Sequence, residues 1–300
     1  MKKDNRIPVY DLCSLQEQQR QDDFLIEPFA AYLKRHPNLF IPHRHNFYHL
    51  VLFTAGSGSH TIDFEQFAVS KGQLYFMVPG QVHSWQFRDD VDGYVINFSE
   101  AFFPVPAGQA SPLEGFSFLE GVAAQSVIQL DPGAVKKSVQ LMKEMLLERK
   151  IKDRWQTERL RLLLLELFIL TARNSPHQER TAGPGSDITL RQFRKLVEQH
   201  YASMHLPKDY AAQLYITPNH LNALCNELLG KPAGEVIRDR ILLEAKRLLV
   251  NASVHINEIA WQLHFADNSY FTKFFKKQTG ITPEAFRKAL ANPLPKASAI

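Results

Sequence analysis

The chain has 300 residues, 45% hydrophobic and 11% aromatic, with 35 Lys/Arg against 31 Asp/Glu. That length favours two domains over one, and that composition supports packed cores and excludes a chain disordered by composition. The net charge of +4 is unevenly placed: residues 188–292 hold 14 Lys/Arg and 9 Asp/Glu, leaving 21 and 22 for the rest, so the basic surplus lies in the C-terminal third, as nucleic-acid binding requires.

Cys13 and Cys225 are far apart and form no CxxC or Cys/His zinc spacing. The start MKKDNRIPVYDL lacks the apolar stretch of a signal peptide, and Leu162 to Ala172 is interrupted by Glu166 and too short to span a bilayer. A soluble, cytoplasmic protein is expected.

Residues 1–35 are polar and carry no clear pattern. From Phe40 short apolar runs follow one another, FYHLVLFT, HTIDF, KGQLYFMVPGQVHSWQF and DGYVINFS, separated by Gly and Pro turns. Runs of this length and β-branched or aromatic content predict an all-β sandwich or barrel. His43 and His45, two apart, share a face of an extended segment, and His49 and His83 follow. PHRH at 42–45, then Gly72 and PGQVH at 79–83, resemble the two motifs of a cupin barrel. In metal-binding cupins such motifs supply His-x-His, a downstream acid and one further His; here His49 stands where the acid is expected. Three readings stay open: a three- or four-His metal site on His43, His45, His49 and His83, a structural filling of the barrel mouth, or an organic effector pocket lined by His43, His45, His83 and Trp85. No resident metal or other cofactor is expected.

Asp131–Pro132 starts a helix, with Val135, Val139, Met142 and Leu146 as its apolar stripe. A second helix over about 153–172, apolar nearly all round, needs partners on several sides, and a second copy of the chain is one candidate. Residues 175–187, rich in Pro, Gly, Ser and charge, predict a linker. The first domain is therefore 1–174, with the barrel at about 40–105 and the helices at about 131–173.

The domain over 188–292 is predicted to be all-α. After a helix capped by Asp187, a short helix over 209–214 leads through Tyr215–Ile216 into a helix started by Thr217–Pro218 and stopped by Gly230. That helix buries Leu221, Leu224, Cys225 and Leu228 and presents Asn219, Asn222, Ala223 and Asn226. Residues 256–280 repeat the layout: INEIAWQL, a turn at His264–Phe265, a helix with Phe271, Phe274 and Phe275 inward and Asn268, Ser269, Thr272, Lys273 and Lys276 outward, then Gly280. One amphipathic helix over about 232–250 joins the two units. Its length of nearly 30 Å approaches the ~34 Å repeat of major-groove faces on one side of DNA.

The run ILLEAKRLLVNASVHINEIAWQLHFADNSYFTKFFKKQTGITPEAFR resembles the signature of AraC/XylS-type bacterial transcriptional regulators: its A-x-x-L-L helix, I-A-x-x-x-x-F, S-Y-F-x-x-x-F-K-K and the closing G-x-x-P-x-x-F-R. The first unit is a weaker copy. The resemblance covers about 188–290 and implies a multidomain protein: an N-terminal cupin-like effector and dimerisation domain and a C-terminal DNA-binding domain with two helix-turn-helix units. It implies promoter DNA, a small-molecule effector, a second copy of the chain and RNA polymerase as partners. Asn219, Asn222, Ala223, Asn226, Asn268, Ser269, Thr272 and Lys273 are expected to read bases, and Lys276 and Lys277 to hold phosphate. Two departures stand out: His264 replaces the glycine usual in the second turn, and the first reading helix has no Lys or Arg. The competing classes are a metal-dependent cupin enzyme and a helical protein–protein adaptor.

Overall fold

The computed structural model describes residues 8–15, 23–105, 111–175, 184–251 and 253–291. They divide into two compact units, one ending at Ser175 and the other beginning at Pro184; of the expected linker, 176–183 lie outside the described residues. No described helix is long and apolar enough to cross a membrane.

The first unit is built in layers. One five-stranded sheet has the order β1 (Val9–Tyr10), β3 (His43–His45), β8 (Val82–Phe87), β5 (Gly58–Ile62), β6 (Glu65–Val69). The other has β10 (Val127–Gln129), β7 (Gln73–Met77), β4 (Tyr48–Ala55), β9 (Asp92–Phe98), β2 (Phe24–Pro28). The expected closed barrel is corrected here: among the described residues no strand pair joins the sheets, which are held by side chains packed between them rather than by a continuous ladder. The polar N-terminal stretch also contributes: β1 pairs parallel with β3, β2 pairs antiparallel with β9, and α1 (Phe29–Arg35) follows β2.

The second sheet is buried on both faces, which explains why YHLVLFT does not alternate apolar with polar. Along β4, His49, Val51 and Phe53 face one way and Leu50 and Leu52 the other, and all five are at most 1% exposed. Val51 and Phe53 join the core between the sheets with Trp85, Ile62 and Tyr75. Leu50 and Leu52 join a separate core with Leu74, Phe76, Ile96 and the helices α2 (Pro132–Glu148) and α3 (Gln156–Asn174). Asp131 caps α2 as its sequence predicts, accepting from the Ala134 N–H at 2.9 Å. The deepest face of α2 lies one residue off the predicted stripe: Ala134, Ser138, Leu141, Met142 and Met145 are buried, while Val135, Val139 and Leu146 pack at its edge.

The second unit is all-helical: α4 (Pro184–His200), α5 (Pro207–Gln213), α6 (Pro218–Leu229), α7 (Ala233–Val250), α8 (Ile256–Gln262), α9 (Asn268–Thr279) and α10 (Pro283–Ala291). α4 begins at Pro184, before the expected Asp187 cap. A single core runs through the unit, from Leu190, Phe193 and Val197 through Ile237, Ile241, Ala245 and Leu249 of α7 to Phe271 and Phe275.

Candidate nucleic-acid interface and effector site

The pairs α5–α6 and α8–α9 are built to one plan. Buried Ala211 and Ala260 let the helices of each pair approach closely. Their carbonyls accept from Ile216 N–H at 3.0 Å and Phe265 N–H at 2.9 Å, which closes each turn. Tyr215 and His264 occupy the same place in that turn, at φ 55° and 52°. Neither is glycine, so each carries the steric cost of the left-handed region. Thr217 Oγ1 caps α6 by accepting from His220 N–H at 3.1 Å, and Asp267 Oδ1 caps α9 by accepting from Tyr270 N–H at 2.7 Å. Gly230 at φ 70° and Gly280 at φ 81° then end the two helices, each N–H reaching back four residues.

This correspondence pairs Asn219 with Ser269, Asn222 with Thr272, Ala223 with Lys273 and Asn226 with Lys276. Asn219, Ala223, Asn226, Asn268, Ser269, Lys273, Lys276 and Lys277 are exposed; Asn222 and Thr272 are half-buried. Asn222 has a visible structural task, since its Oδ1 accepts from the Ala233 N–H at 3.1 Å. α7 starts after Pro232, which has no capping side chain, so Asn222 caps it from the neighbouring helix. In the second unit Pro283 stands at the same point and has no N–H to satisfy, while Thr282 Oγ1 accepts from Ala285 N–H at 3.2 Å.

Sequence reasoning misses two outward residues. His220 and Tyr270 are equivalent and exposed, Tyr270 by 60%. Each stands three residues before the outward pair Ala223 and Lys273, and that spacing is the signal that could have found them. Against it, an aromatic between Ser269 and Phe271 reads as core. The two faces differ in charge: Lys273, Lys276 and Lys277 on α9 stand where α6 has Ala223, Asn226 and Glu227.

α7 has 18 residues, about 27 Å at ~1.5 Å each, and its far end is fastened by Arg287. That guanidinium donates to the Leu249 carbonyl at 3.2 Å and the Val254 carbonyl at 2.7 Å. Near its middle Arg240 pairs with Glu198 at 2.8 Å and Glu244 at 3.1 Å and lies 3.8 Å over the Tyr201 ring.

In the first unit, strand register gathers the expected effector residues. His43 faces His83 across β3–β8, and His60 faces Trp85 across β5–β8. His43, His45, His83 and Trp85 are at most 3% exposed and lie between the sheets. His49 enters the same space from β4, and His60, outside both sequence motifs, stacks on Trp85 with ring centres 3.3 Å apart. The four expected residues thus come together as a closed aromatic–imidazole core rather than as the rim of an open mouth. Burial holds all five histidines below the usual imidazole range, His43 at about 4 and His49 at about 3, with repulsion from neighbouring rings added at His45, His49, His60 and His83. They are neutral at pH 7.

Comparison with known proteins agrees with both halves. Residues 28–167 match the model of the AraC-like ligand binding domain, and residues 210–289 match a helix-turn-helix domain. The HTH-type transcriptional activator RhaR of Cronobacter sakazakii is 25% identical over 275 residues, covering 90% of this chain and 95% of the relative. The protein of the same name from Yersinia pestis bv. Antiqua is 21% identical over 265 residues, covering 86% of this chain and 89% of that one. ToxT from Vibrio cholerae O395, a solved structure, is 16% identical with a TM-score of 0.42, covering 85% of this chain and 92% of its own.

A ligand-binding domain joined to paired helix-turn-helix units defines an effector-regulated DNA-binding regulator, not an enzyme. The chain belongs to the AraC/XylS family of transcriptional regulators.

Proposed function

We propose that the chain reads promoter DNA with α6 and α9 in successive major grooves, and that the two helices divide the work. The observation that carries this reading is the repeated geometry: the same left-handed turn residue, a side-chain cap and a glycine stop, with one extra residue, Ala266, before the second cap, and outward residues at equivalent positions of two helices on one core. Lys273, Lys276 and Lys277 give α9 most of the phosphate attraction, while Asn219, Asn226 and Ala223 on α6 contribute base contacts and register. Asn268, Ser269 and Lys273 read bases from α9, with Tyr270 and His220 flanking the contact. Thr272 and Asn222, half-buried, support the faces from beneath.

A small effector held by the first unit shifts the population of DNA-binding arrangements, which requires unequal affinity for them. A second copy of the chain covers the outer stripe of α3, where Leu162 and Ile169 are 61% and 46% exposed. The relatives named as transcriptional activators support activation; RNA polymerase as a partner and a cytoplasmic location belong to the same proposal. The test is binding of the full chain to duplex DNA at increasing salt. Lys273→Ala should cost ~1–3 kcal/mol and relax sequence preference; unchanged affinity and preference would remove Lys273 from the interface.

A further inference from the structure

Between the sheets of the first unit lie His43, His45, His49, His60 and His83, each at most 3% exposed. Their hydrogen bonds fix where the protons are. His43 Nδ1 is 2.8 Å from the Ile41 carbonyl, which can only accept, so that nitrogen carries the proton and Nε2 keeps the lone pair. His49 Nδ1 is 2.6 Å from Asn97 Oδ1, while Asn97 Nδ2 donates to the Tyr32 hydroxyl at 3.2 Å. His49 Nε2 therefore also keeps a lone pair. Both Nε2 atoms are buried and have no hydrogen-bond partner among the described residues.

The other three rings form a chain. His60 Nε2 is 3.0 Å from His83 Nδ1, and His83 Nε2 is 3.4 Å from His45 Nδ1. Three neutral imidazoles bring three N–H groups to two such contacts. One end of the chain, His45 Nε2 or His60 Nδ1, must then hold an unmet lone pair and the other an unmet proton; both atoms are buried without a partner among the described residues. Five rings thus present at least three buried lone pairs that no group among the described residues satisfies, where buried polar atoms are ordinarily paired.

We propose that this cluster binds one divalent first-row transition-metal ion through His43, His45 and His83, and that the ion is the effector. One ring nitrogen from each of these residues lies within 4.8 Å of the others. Bonds of ~2.0–2.1 Å in tetrahedral geometry need separations of about 3.3 Å, so the site closes by ring movement in which His83 exchanges one of its two ring contacts, the longer being that to His45 at 3.4 Å, for the ion. His43 already has the posture of a metal-bound imidazole, its other N–H given to a backbone carbonyl. Among the described residues the group contains neither thiolate nor carboxylate, a donor set suited to zinc, nickel or copper rather than magnesium or calcium.

His49 supplies a link to the rest of the unit. It comes from the facing sheet, its ring centre 4.9 Å from His45 and 5.5 Å from His83, with the free Nε2 available as a fourth ligand. Its strand carries Leu50 and Leu52 on the opposite face, packed in the core shared with α2 and α3. Drawing His49 toward an ion would therefore pull on the strand that supports the helical layer. This regulatory half rests on the DNA-binding reading above.

The experiment titrates the chelator-stripped full chain with cobalt(II), followed by its visible d–d absorption, and repeats the titration with zinc. One ion per chain is expected. His83→Gln and His45→Asn should weaken binding by more than the roughly 10–100-fold that loss of an outer partner costs, while His200→Gln in the other unit should leave it unchanged. Copper(II) bound to the unmutated chain should show nitrogen superhyperfine splitting, which supports imidazole ligation even if a variant misfolds. Failure of the unmutated chain to bind either cobalt or zinc, or full binding by folded His83→Gln, overturns the site. Duplex affinity is then measured with and without saturating zinc. A change of about fivefold or more supports the effector role; intact metal binding with unchanged duplex affinity overturns it. Loss of duplex binding in both states would instead strike the DNA-binding reading, a separately visible result.

Discussion

Asn222 shows how a residue that reads as a base contact in sequence can be occupied by the fold. Its amide sits among Asn219 and Asn226 on an otherwise outward stripe, yet Oδ1 is bound to the Ala233 N–H. The need for it arises eleven residues away, where α7 begins without a capping side chain of its own. Asn222→Ala should therefore cost roughly 0.5–2 kcal/mol, the range for a lost helix cap, in denaturant unfolding of the second unit. Stability unchanged by the substitution would return Asn222 to the list of free base readers. His264 is the reverse case, legible in sequence as a departure from glycine and found at φ 52°. His264→Gly should stabilise the second unit by about 1 kcal/mol, since the left-handed region costs most non-glycine residues ~1–2 kcal/mol and glycine itself gives back part of that in chain entropy. A lower melting temperature for this variant would show that the imidazole makes a compensating contact.

At the scale of elements, α7 holds its place through Arg287, which reaches back from α10 to the carbonyls of Leu249 and Val254. Removing the guanidinium strands two carbonyls at the end of the helix that joins the reading units. Arg287→Met should cost about 1.5–3 kcal/mol, the scale of a charged hydrogen bond, and weaken DNA binding without touching a reading residue. Equal unfolding free energy for the variant would contradict that role. The helices were legible because their signals are local: Thr217–Pro218, Gly230, Asp267 and Gly280 mark ends, and Phe271 and Phe275 mark the inward face. The β unit was less so. β1 and β2, short strands in a mostly polar N-terminal stretch, were not legible because their pairing with β3 and β9 depends on partners roughly 35 and 70 residues away. The separation into two sheets depends on which strand edges meet, and periodicity within a strand does not specify that. His60 is inconspicuous in sequence for the same reason: HTIDF shows nothing unusual until β5–β8 register sets it against Trp85 and His83.

For the whole molecule, the two units place chemically different demands on one chain. The first encloses neutral imidazoles between sheets; the second displays amides and lysines on two equivalent helices. The claim that α6 and α9 both read DNA, one weakly charged and one strongly basic, gives the protein its function and is open to direct measurement. Duplexes selected by the full chain from a random library should contain two sequence blocks spaced by about one helical turn, ~10–10.5 bp centre to centre. Asn219→Ala with Asn226→Ala should relax preference in one block and leave salt dependence nearly unchanged; Lys273→Ala should relax the other and reduce the salt slope. A single selected block, or two blocks that respond alike to both sets of substitutions, would contradict the account.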